Sequence, residues 1–231
     1  MLFAGLQKLT LLDYPGHTAC TVFTQGCDFR CPFCHNSSLL DETALPEMPV
    51  EEEKILSFLK KRQGTLDGVA ITGGEPLLHD ALHGFIVRVR QMGFDVKLDT
   101  NGNHPEYLRR LMEEGLLSMV AMDIKNSPEH YARTIGLPRF DLGPVRESAA
   151  LLMEGKVPYE FRTTVTREMH TGEDMRKIGE WLRGPSPYFL QFYTDSGHVL
   201  HPGLTAPTME EMTEFRNILL PDVPNTAIRG E

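Results

Sequence analysis

The sequence of 231 residues predicts an α/β fold in which a parallel sheet is covered by helices. Segments with the alternating pattern of strands are followed by segments of helical periodicity in about six successive units, which is typical of βαβ structure. No internal repeat, low-complexity run or linker interrupts them, so we expect a single domain. Six units are too few for a closed eight-fold barrel, and we favour an open or partial barrel over a doubly wound sheet.

The first part of the chain predicts two strands. Residues 6–12 and 18–24 have strand character, and Pro15-Gly16 between them is typical of a turn. We therefore expect a hairpin and the first barrel strand in residues 1–26, a loop in 27–36, the barrel in 37–193, and an extension with a helix in 194–231.

Strands and helices then alternate, after a polar surface connection at 41–50. The final helix begins with the capping pattern of Thr208 and Glu211. The predicted helices cover 51–62, 82–89, 105–112, 144–154, 175–182 and 208–219, and the predicted strands cover 68–72, 94–98, 117–122, 159–166 and 188–193.

The composition excludes some classes of function. The formal net charge is −9, which argues against binding to a nucleic-acid backbone. No apolar run approaches the ~18 residues of a membrane span, and the first residues lack the pattern of a signal peptide. Clustered cysteines without a secretion signal lead us to expect a reducing cytoplasm and a metal site rather than disulfides.

Three of the four cysteines form the most informative motif. Cys27, Cys31 and Cys34 have the spacing C-x3-C-x2-C. Thiolates suit iron–sulfur clusters, zinc or copper(I), and a closed structural site needs four ligands. Three ligands indicate either a [4Fe-4S] cluster with one open iron or a zinc site completed by His35. The fourth cysteine, Cys20, lies in an apolar strand, and we predict a buried, inert thiol.

Chemically informative residues also follow the other predicted strands. Because the carboxyl ends of parallel strands meet at one edge of a sheet, we expect these residues to face one mouth together with the cysteines. They are Gly73, Gly74, Glu75, Asp99, Thr100, Asp123 and Lys125.

Each of these groups suggests a ligand contact. The two glycines would let the backbone approach a ligand closely. Asp99 and Asp123 could bind a cation or an ammonium group. Lys125 and the strand residue Arg162 could hold an anionic group, the arginine in a bidentate manner.

These motifs resemble those of a known family. The C-x3-C-x2-C loop after the first strand and Gly73-Gly74-Glu75-Pro76 after the second resemble the radical S-adenosylmethionine (SAM) superfamily. The glycyl-radical-enzyme activases are more similar still, on Gln25-Gly26-Cys27, Cys34-His35-Asn36, Asp99-Thr100-Asn101-Gly102 and Asp123-x-Lys125. The chain resembles the activases of anaerobic ribonucleoside-triphosphate reductase most, on residues 5–8, 14–16 and 228–230.

The resemblance implies a partial (β/α)6 barrel and roles for the site residues. Cys27, Cys31 and Cys34 would hold three irons of a [4Fe-4S] cluster, and the open iron would chelate SAM through its amino and carboxylate groups. Around SAM, the resemblance places Gly73, Gly74 and Glu75 at the methionine amino group and Phe33 and His35 beside the nucleoside. It places Asp99, Thr100, Asp123, Lys125 and Arg162 around the methionine moiety, some through a bound monovalent cation.

The resemblance also implies an activity. The reduced cluster would cleave SAM to methionine and a 5′-deoxyadenosyl radical, which would take a hydrogen atom from a glycine Cα of a partner enzyme. Only Cys20 remains for any further cluster, so the electron would come from a separate flavodoxin or ferredoxin. One histidine contact to SAM in the pyruvate formate-lyase activase is not expected here, because the corresponding position is Thr194 and the nearest histidine is His198.

Other functions remain open from the sequence. The chain could activate pyruvate formate-lyase or another glycyl radical enzyme, or it could act on a small molecule as a carboxy-deazaguanine synthase does. A non-catalytic zinc or electron-transfer module is the third alternative, but it leaves the strand-end residues unexplained.

Overall fold

Strands and helices alternate along most of the chain. The computed structural model describes residues 1–41, 43–46, 48–195, 197 and 199–230. The strands are β1 (Leu2–Phe3), β2 (Gly5–Thr10), β3 (Ala19–Thr24), β4 (Val50–Glu51), β5 (Gly68–Gly73), β6 (Asp95–Thr100), β7 (Met119–Asp123), β8 (Tyr159–Val165), β9 (Tyr188–Phe192) and β10 (Thr226–Arg229). The helices are α1 (Glu52–Lys60), α2 (Leu82–Gln91), α3 (Pro105–Glu113), α4 (Tyr131–Thr134), α5 (Gly143–Met153), α6 (Gly172–Trp181) and α7 (Met209–Leu219), with 3₁₀ turns at Ser37–Leu39 and Pro76–Leu78.

One large sheet organises the molecule. Its strand order is β10-β9-β8-β7-β6-β5-β3-β2, and every neighbouring pair is parallel except β2 with β3. The order never reverses, so crossovers of the usual right hand place the helices on one face of the sheet. A doubly wound sheet requires a reversal. The order therefore confirms the predicted partial barrel: the six parallel strands from β3 to β9 form its (β/α)6 body.

Three short strands were not predicted. β10 pairs in parallel with β9 and extends the sheet into the predicted C-terminal extension. β1 and β4 pair with each other as a separate two-stranded sheet. Each has only two to four residues, so its pairing depends on distant segments rather than on its own pattern.

The outer face of the sheet packs against apolar helix faces. On α2, the side chains of Leu82, Phe85, Ile86 and Val89 are fully buried, as their helical spacing predicted. None of the helices in the described part of the chain has the length and hydrophobicity needed to cross a bilayer.

The inner face of the sheet carries charge. On β6, Val96 and Leu98 join the apolar core, so Lys97 and Asp99 project to the opposite side. The register places Asp123 of β7 directly beside Arg162 of β8. These charged side chains form the interior wall of the barrel, near the carboxyl ends of the parallel strands.

Candidate active site

A cavity opens at the carboxyl ends of β3, β5, β6, β7 and β8. All of the predicted site residues except Glu75 line it. They are Cys27, Cys31, Cys34, Phe33, His35, Gly73, Gly74, Asp99, Thr100, Asp123, Lys125 and Arg162. The lining residues that sequence reasoning missed are Phe29, Asn36, Leu40, Thr72, Asn101 and Thr164.

The cysteine loop is held by backbone hydrogen bonds. The Cys34 amide donates to the Cys31 carbonyl oxygen over 3.0 Å, and the Phe29 amide donates to Cys27 Sγ over 3.4 Å. At the base of the loop, the Gly26 amide donates to the Leu39 carbonyl oxygen over 2.6 Å. These bonds direct the three cysteine side chains toward the same cavity.

The thiols suit an iron–sulfur cluster. Burial raises the pKa of Cys27 to about 12 and that of Cys31 to about 11, and it also raises the pKa of Cys34. Buried thiols of this kind lose their protons to a metal rather than to solvent. A cluster spreads its thiolates over separate irons. Within the described residues, no three His, Cys, Asp or Glu side chains are arranged around a single metal-ion position.

The glycine pair packs against the cysteine loop. Gly73 has a φ of +122°, and a Cβ there would lie 2.4 Å from the Thr24 amide nitrogen. A Cβ on Gly74 would lie 1.8 Å from the Gly26 carbonyl oxygen. The Glu75 amide also donates to that oxygen over 2.7 Å. The glycines therefore line the cavity and also allow two backbone segments to approach each other closely.

Glu75 lies beneath the cavity rather than on its lining. Its side chain is fully buried and does not line the cavity. Its carboxylate accepts hydrogen bonds from Thr100 Oγ1 over 2.8 Å, the Asn101 amide over 2.7 Å and the Leu77 amide over 3.0 Å. Burial raises the pKa of Glu75 to about 7. These hydrogen bonds connect the segments that follow β5 and β6 beneath the cavity.

The cavity wall contains a continuous set of ion pairs. Asp123 lies 2.8 Å from Lys125 Nζ and 2.9 Å from Arg162 Nη2, and Arg162 Nη1 lies 3.3 Å from Asp99. Burial opposes ionisation of Asp123, but Arg162 and Lys125 outweigh it and hold the pKa of Asp123 well below its usual value. The same pairs raise the pKa values of Lys125 and Arg162 against the effect of burial. Both cations are therefore charged and available to an anionic ligand.

Sequence reasoning missed Lys97. Its side chain is 1% exposed, and its ammonium group contacts the Asp99 carboxylate from below the cavity. The available signal was a charged residue inside a strand, two positions before Asp99 and therefore on the same face.

A polar network beside Cys27 was also missed. The Asp28 carboxylate accepts hydrogen bonds from Asn101 Nδ2 over 2.7 Å and Asn103 Nδ2 over 2.6 Å, and it lies 3.1 Å from His104 Nε2. Asn101 Nδ2 also lies 4.0 Å from Cys27 Sγ. The residues after β6 therefore fix the start of the cysteine loop.

The remaining predicted residues occupy distinct places. His35 is exposed at the cavity and stacks on Tyr193, with the ring centroids 5.8 Å apart. Cys20 is fully buried in the core, as predicted. Thr194 is not among the lining residues, and His198 lies outside the described residues.

Comparisons with known proteins show which family the chain resembles. The family model described as "Radical SAM superfamily" matches residues 21–183. A protein of Methanocaldococcus jannaschii, provisionally named a glycyl-radical enzyme activating enzyme, is 28% identical over 99% of this chain and 95% of its own length. The pyruvate formate-lyase-activating enzyme of Listeria monocytogenes is 26% identical over 78% of this chain and 75% of its own length. A 7-carboxy-7-deazaguanine synthase of Methanopyrus kandleri is 27% identical over 81% of this chain and 78% of its own length.

Solved structures show the same fold. The crystal structure of Streptococcus suis SuiB bound to S-adenosylmethionine superposes with a TM-score of 0.69 at 11% sequence identity. The match covers 89% of this chain, which spans about half (48%) of the SuiB chain. At this identity the likeness establishes the fold alone.

Proposed function

Because the chain belongs to the radical SAM superfamily, we propose that it is a glycyl-radical-enzyme activase whose partner is an anaerobic ribonucleoside-triphosphate reductase. The observation that carries this proposal is the likeness to the Methanocaldococcus jannaschii protein, which extends over nearly the full length of both chains. The choice of reductase draws support from the sequence resemblance at residues 5–8, 14–16 and 228–230.

The chain is a radical SAM enzyme, and its cofactors are a [4Fe-4S] cluster and SAM. When bound, the reduced cluster supplies one electron that breaks a C–S bond of SAM and yields methionine and a 5′-deoxyadenosyl radical. Cys27, Cys31 and Cys34 would hold the cluster. Lys125 and Arg162 present positive charge to the cavity, where a carboxylate of SAM would be bound.

The proposed substrate is a glycine of another protein. Transfer of a hydrogen atom from its Cα would leave a glycyl radical and give 5′-deoxyadenosine. No general base is required of this chain. Because Cys20 is the only other cysteine and is buried in the core, the electron would come from a separate donor such as a flavodoxin or ferredoxin, in the cytoplasm.

A small-molecule radical SAM reaction is the second candidate. It draws support from the likeness to a 7-carboxy-7-deazaguanine synthase, which is 27% identical over 81% of this chain, against 28% over 99% for the Methanocaldococcus jannaschii protein. The two candidates share the cluster and SAM but differ in the hydrogen-atom donor, so the donor is what an experiment must identify.

The test uses the anaerobically reconstituted and reduced protein with SAM. We expect 5′-deoxyadenosine to form, and a glycyl doublet to appear in the EPR spectrum when the anaerobic reductase is added. A doublet only with pyruvate formate-lyase would reject the reductase as partner but keep the activase. Cleavage of SAM with no doublet on any glycyl radical enzyme would favour a small-molecule substrate. Absence of both a cluster and cleavage would contradict the assignment of the cofactors.

A further inference from the structure

The two carboxylates in the cavity wall are already matched by cationic side chains. On Asp99, Oδ1 contacts Lys97 Nζ and Oδ2 lies 3.3 Å from Arg162 Nη1. On Asp123, Oδ1 lies 2.9 Å from Arg162 Nη2 and Oδ2 lies 2.8 Å from Lys125 Nζ. Each of the four carboxylate oxygens therefore faces a cation that belongs to the chain.

The strand geometry explains why Lys97 reaches this position. Lys97 and Asp99 are two residues apart on β6, so their side chains project from the same face of the sheet. The lysine side chain is 1% exposed, and its ammonium group lies under Asp99, on the side away from the cavity lining. A buried ammonium group requires an opposite charge, which Asp99 supplies.

The balance of charge disfavours an additional cation. Two carboxylates face three cationic groups, from Lys97, Lys125 and Arg162, so the wall has an excess of positive charge. A monovalent metal ion would have to displace one of them or be repelled by all of them. These residues do not fit the monovalent cation that the sequence resemblance implied beside SAM.

We propose that the Lys97 ammonium group replaces a monovalent metal ion as the counter-charge of Asp99 in the SAM site. Lys97 is thereby a positioning residue: it fixes Asp99, Asp99 orients Arg162, and Arg162 faces the ligand. Binding of SAM in this chain then needs no added potassium or sodium. The inference concerns the SAM site alone and does not depend on which substrate supplies the hydrogen atom.

The test measures SAM affinity by calorimetry on the cluster-loaded protein, in choline chloride and in KCl or NaCl of equal ionic strength. We expect the wild-type affinity to be the same in all three salts. In Lys97→Met, the affinity in choline chloride should fall roughly 5- to 30-fold, because Asp99 Oδ1 loses its partner and the carboxylate is left with Arg162 alone. Potassium or sodium should restore much of that loss by binding where the ammonium group was.

Two further variants keep the test decisive. Lys97→Met combined with Asp99→Asn removes both charges and should show no response to potassium or sodium. Lys177→Met, which changes an exposed ion pair with Glu180, should behave as wild type in every salt. Thermal unfolding in each salt reports whether the variants are folded.

Two results would overturn the inference. One is a wild-type affinity that rises with KCl or NaCl at constant ionic strength, since a bound metal ion would then be part of the native site. The other is a folded Lys97→Met protein whose loss of affinity neither salt corrects. If the single variant does not fold, the wild-type titration and the charge-balanced double variant decide the question. The presence or absence of a glycyl radical has no bearing on any of these measurements.

Discussion

Cys31 and Cys20 are both buried thiols, yet the structure gives them different surroundings. Cys31 lines the cavity, where the charge of Lys125 favours its thiolate, whereas Cys20 packs in the apolar core. We expect Cys31→Ala to abolish the cluster, since two thiolates remain, and Cys20→Ala to keep it. Iron and sulfide content after anaerobic reconstitution measures this. Equal loss of iron in both variants would contradict the ligand assignment.

Gly74 shows how closely the cysteine loop and β5 approach each other. An alanine Cβ at this position would meet the Gly26 carbonyl oxygen at 1.8 Å, so we expect Gly74→Ala to lose about 1–3 kcal/mol of unfolding free energy. Gly84 in α2 is the matched control, because a Cβ there meets nothing within 4 Å. Gly84→Ala should gain about 0.5–1 kcal/mol from helix propensity. Urea denaturation distinguishes the two variants. Equal changes in unfolding free energy would show that the backbone around Gly74 relaxes to accommodate the Cβ without loss of stability.

At the scale of residues, position in the sequence predicted where the site lies but not the role of every residue in it. Strand ends identify residues such as Asp99 and Asp123, because topology alone brings them together. Asn101 acquires its role from a neighbour distant in the chain, Asp28 across 73 positions. The signal for Lys97 was local, because Lys97 lies two positions before its partner Asp99 on the same strand. Local sequence does not tell whether a side chain turns into a cavity or beneath it, and the side chain of Glu75 lies beneath.

Helices α6 and α7 both begin with a capping box, but the two boxes have different surroundings. Thr171 and Asp174 form a capping box on α6, and Thr208 and Glu211 form one on α7. Asp174 is 2% exposed and also accepts a 2.6 Å hydrogen bond from Ser127 Oγ, in the loop that follows Lys125. The first box therefore joins a helix to the site, whereas the second lies in solvent.

The Asp174 box predicts a dependence of stability on pH. Burial opposes its ionisation, but hydrogen bonds from Ser127, Thr171 and His130 outweigh burial and lower its pKa. A lowered folded-state pKa stabilises the protein above the unfolded-state value near 3.9, and this contribution disappears as the pH falls through the folded-state pKa. Asp174→Asn should cost about 1–3 kcal/mol at pH 7 and less near pH 3.

Urea denaturation at the two pH values measures this difference. Glu211→Gln is the control for a solvent-exposed box, and we expect it to cost less than Asp174→Asn at pH 7. A loss from Asp174→Asn that stays constant between the two pH values would show that the carboxylate charge contributes nothing.

At the scale of elements, long periodic segments were predictable and short ones were not. The helices with clear apolar faces appear close to their predicted bounds, as α2 does. β10 has four residues and is stabilised by pairing with β9 and by the bidentate contact of Arg229 with Glu160, 69 positions earlier. A window of sequence around Thr226 contains neither partner.

For the whole molecule, the order of strands determines where chemistry can occur. A sheet without reversal has all its helices on one face, so its other face is free to carry the charges of β6, β7 and β8. The alternation of strands and helices predicted this class of fold from sequence, but the choice between a partial barrel and a doubly wound sheet required the strand order.

The same order has a consequence for biosynthesis. The three cysteines leave the ribosome well before the wall facing them is complete, because Arg162 and Thr164 of β8 are synthesised more than half the chain later. At about 5–20 residues per second, the interval is on the order of ten seconds. During that time the thiols belong to a nascent chain with no cavity around them. An iron–sulfur cluster delivered in this interval would be held by a loop alone, open to water and oxidants on every side.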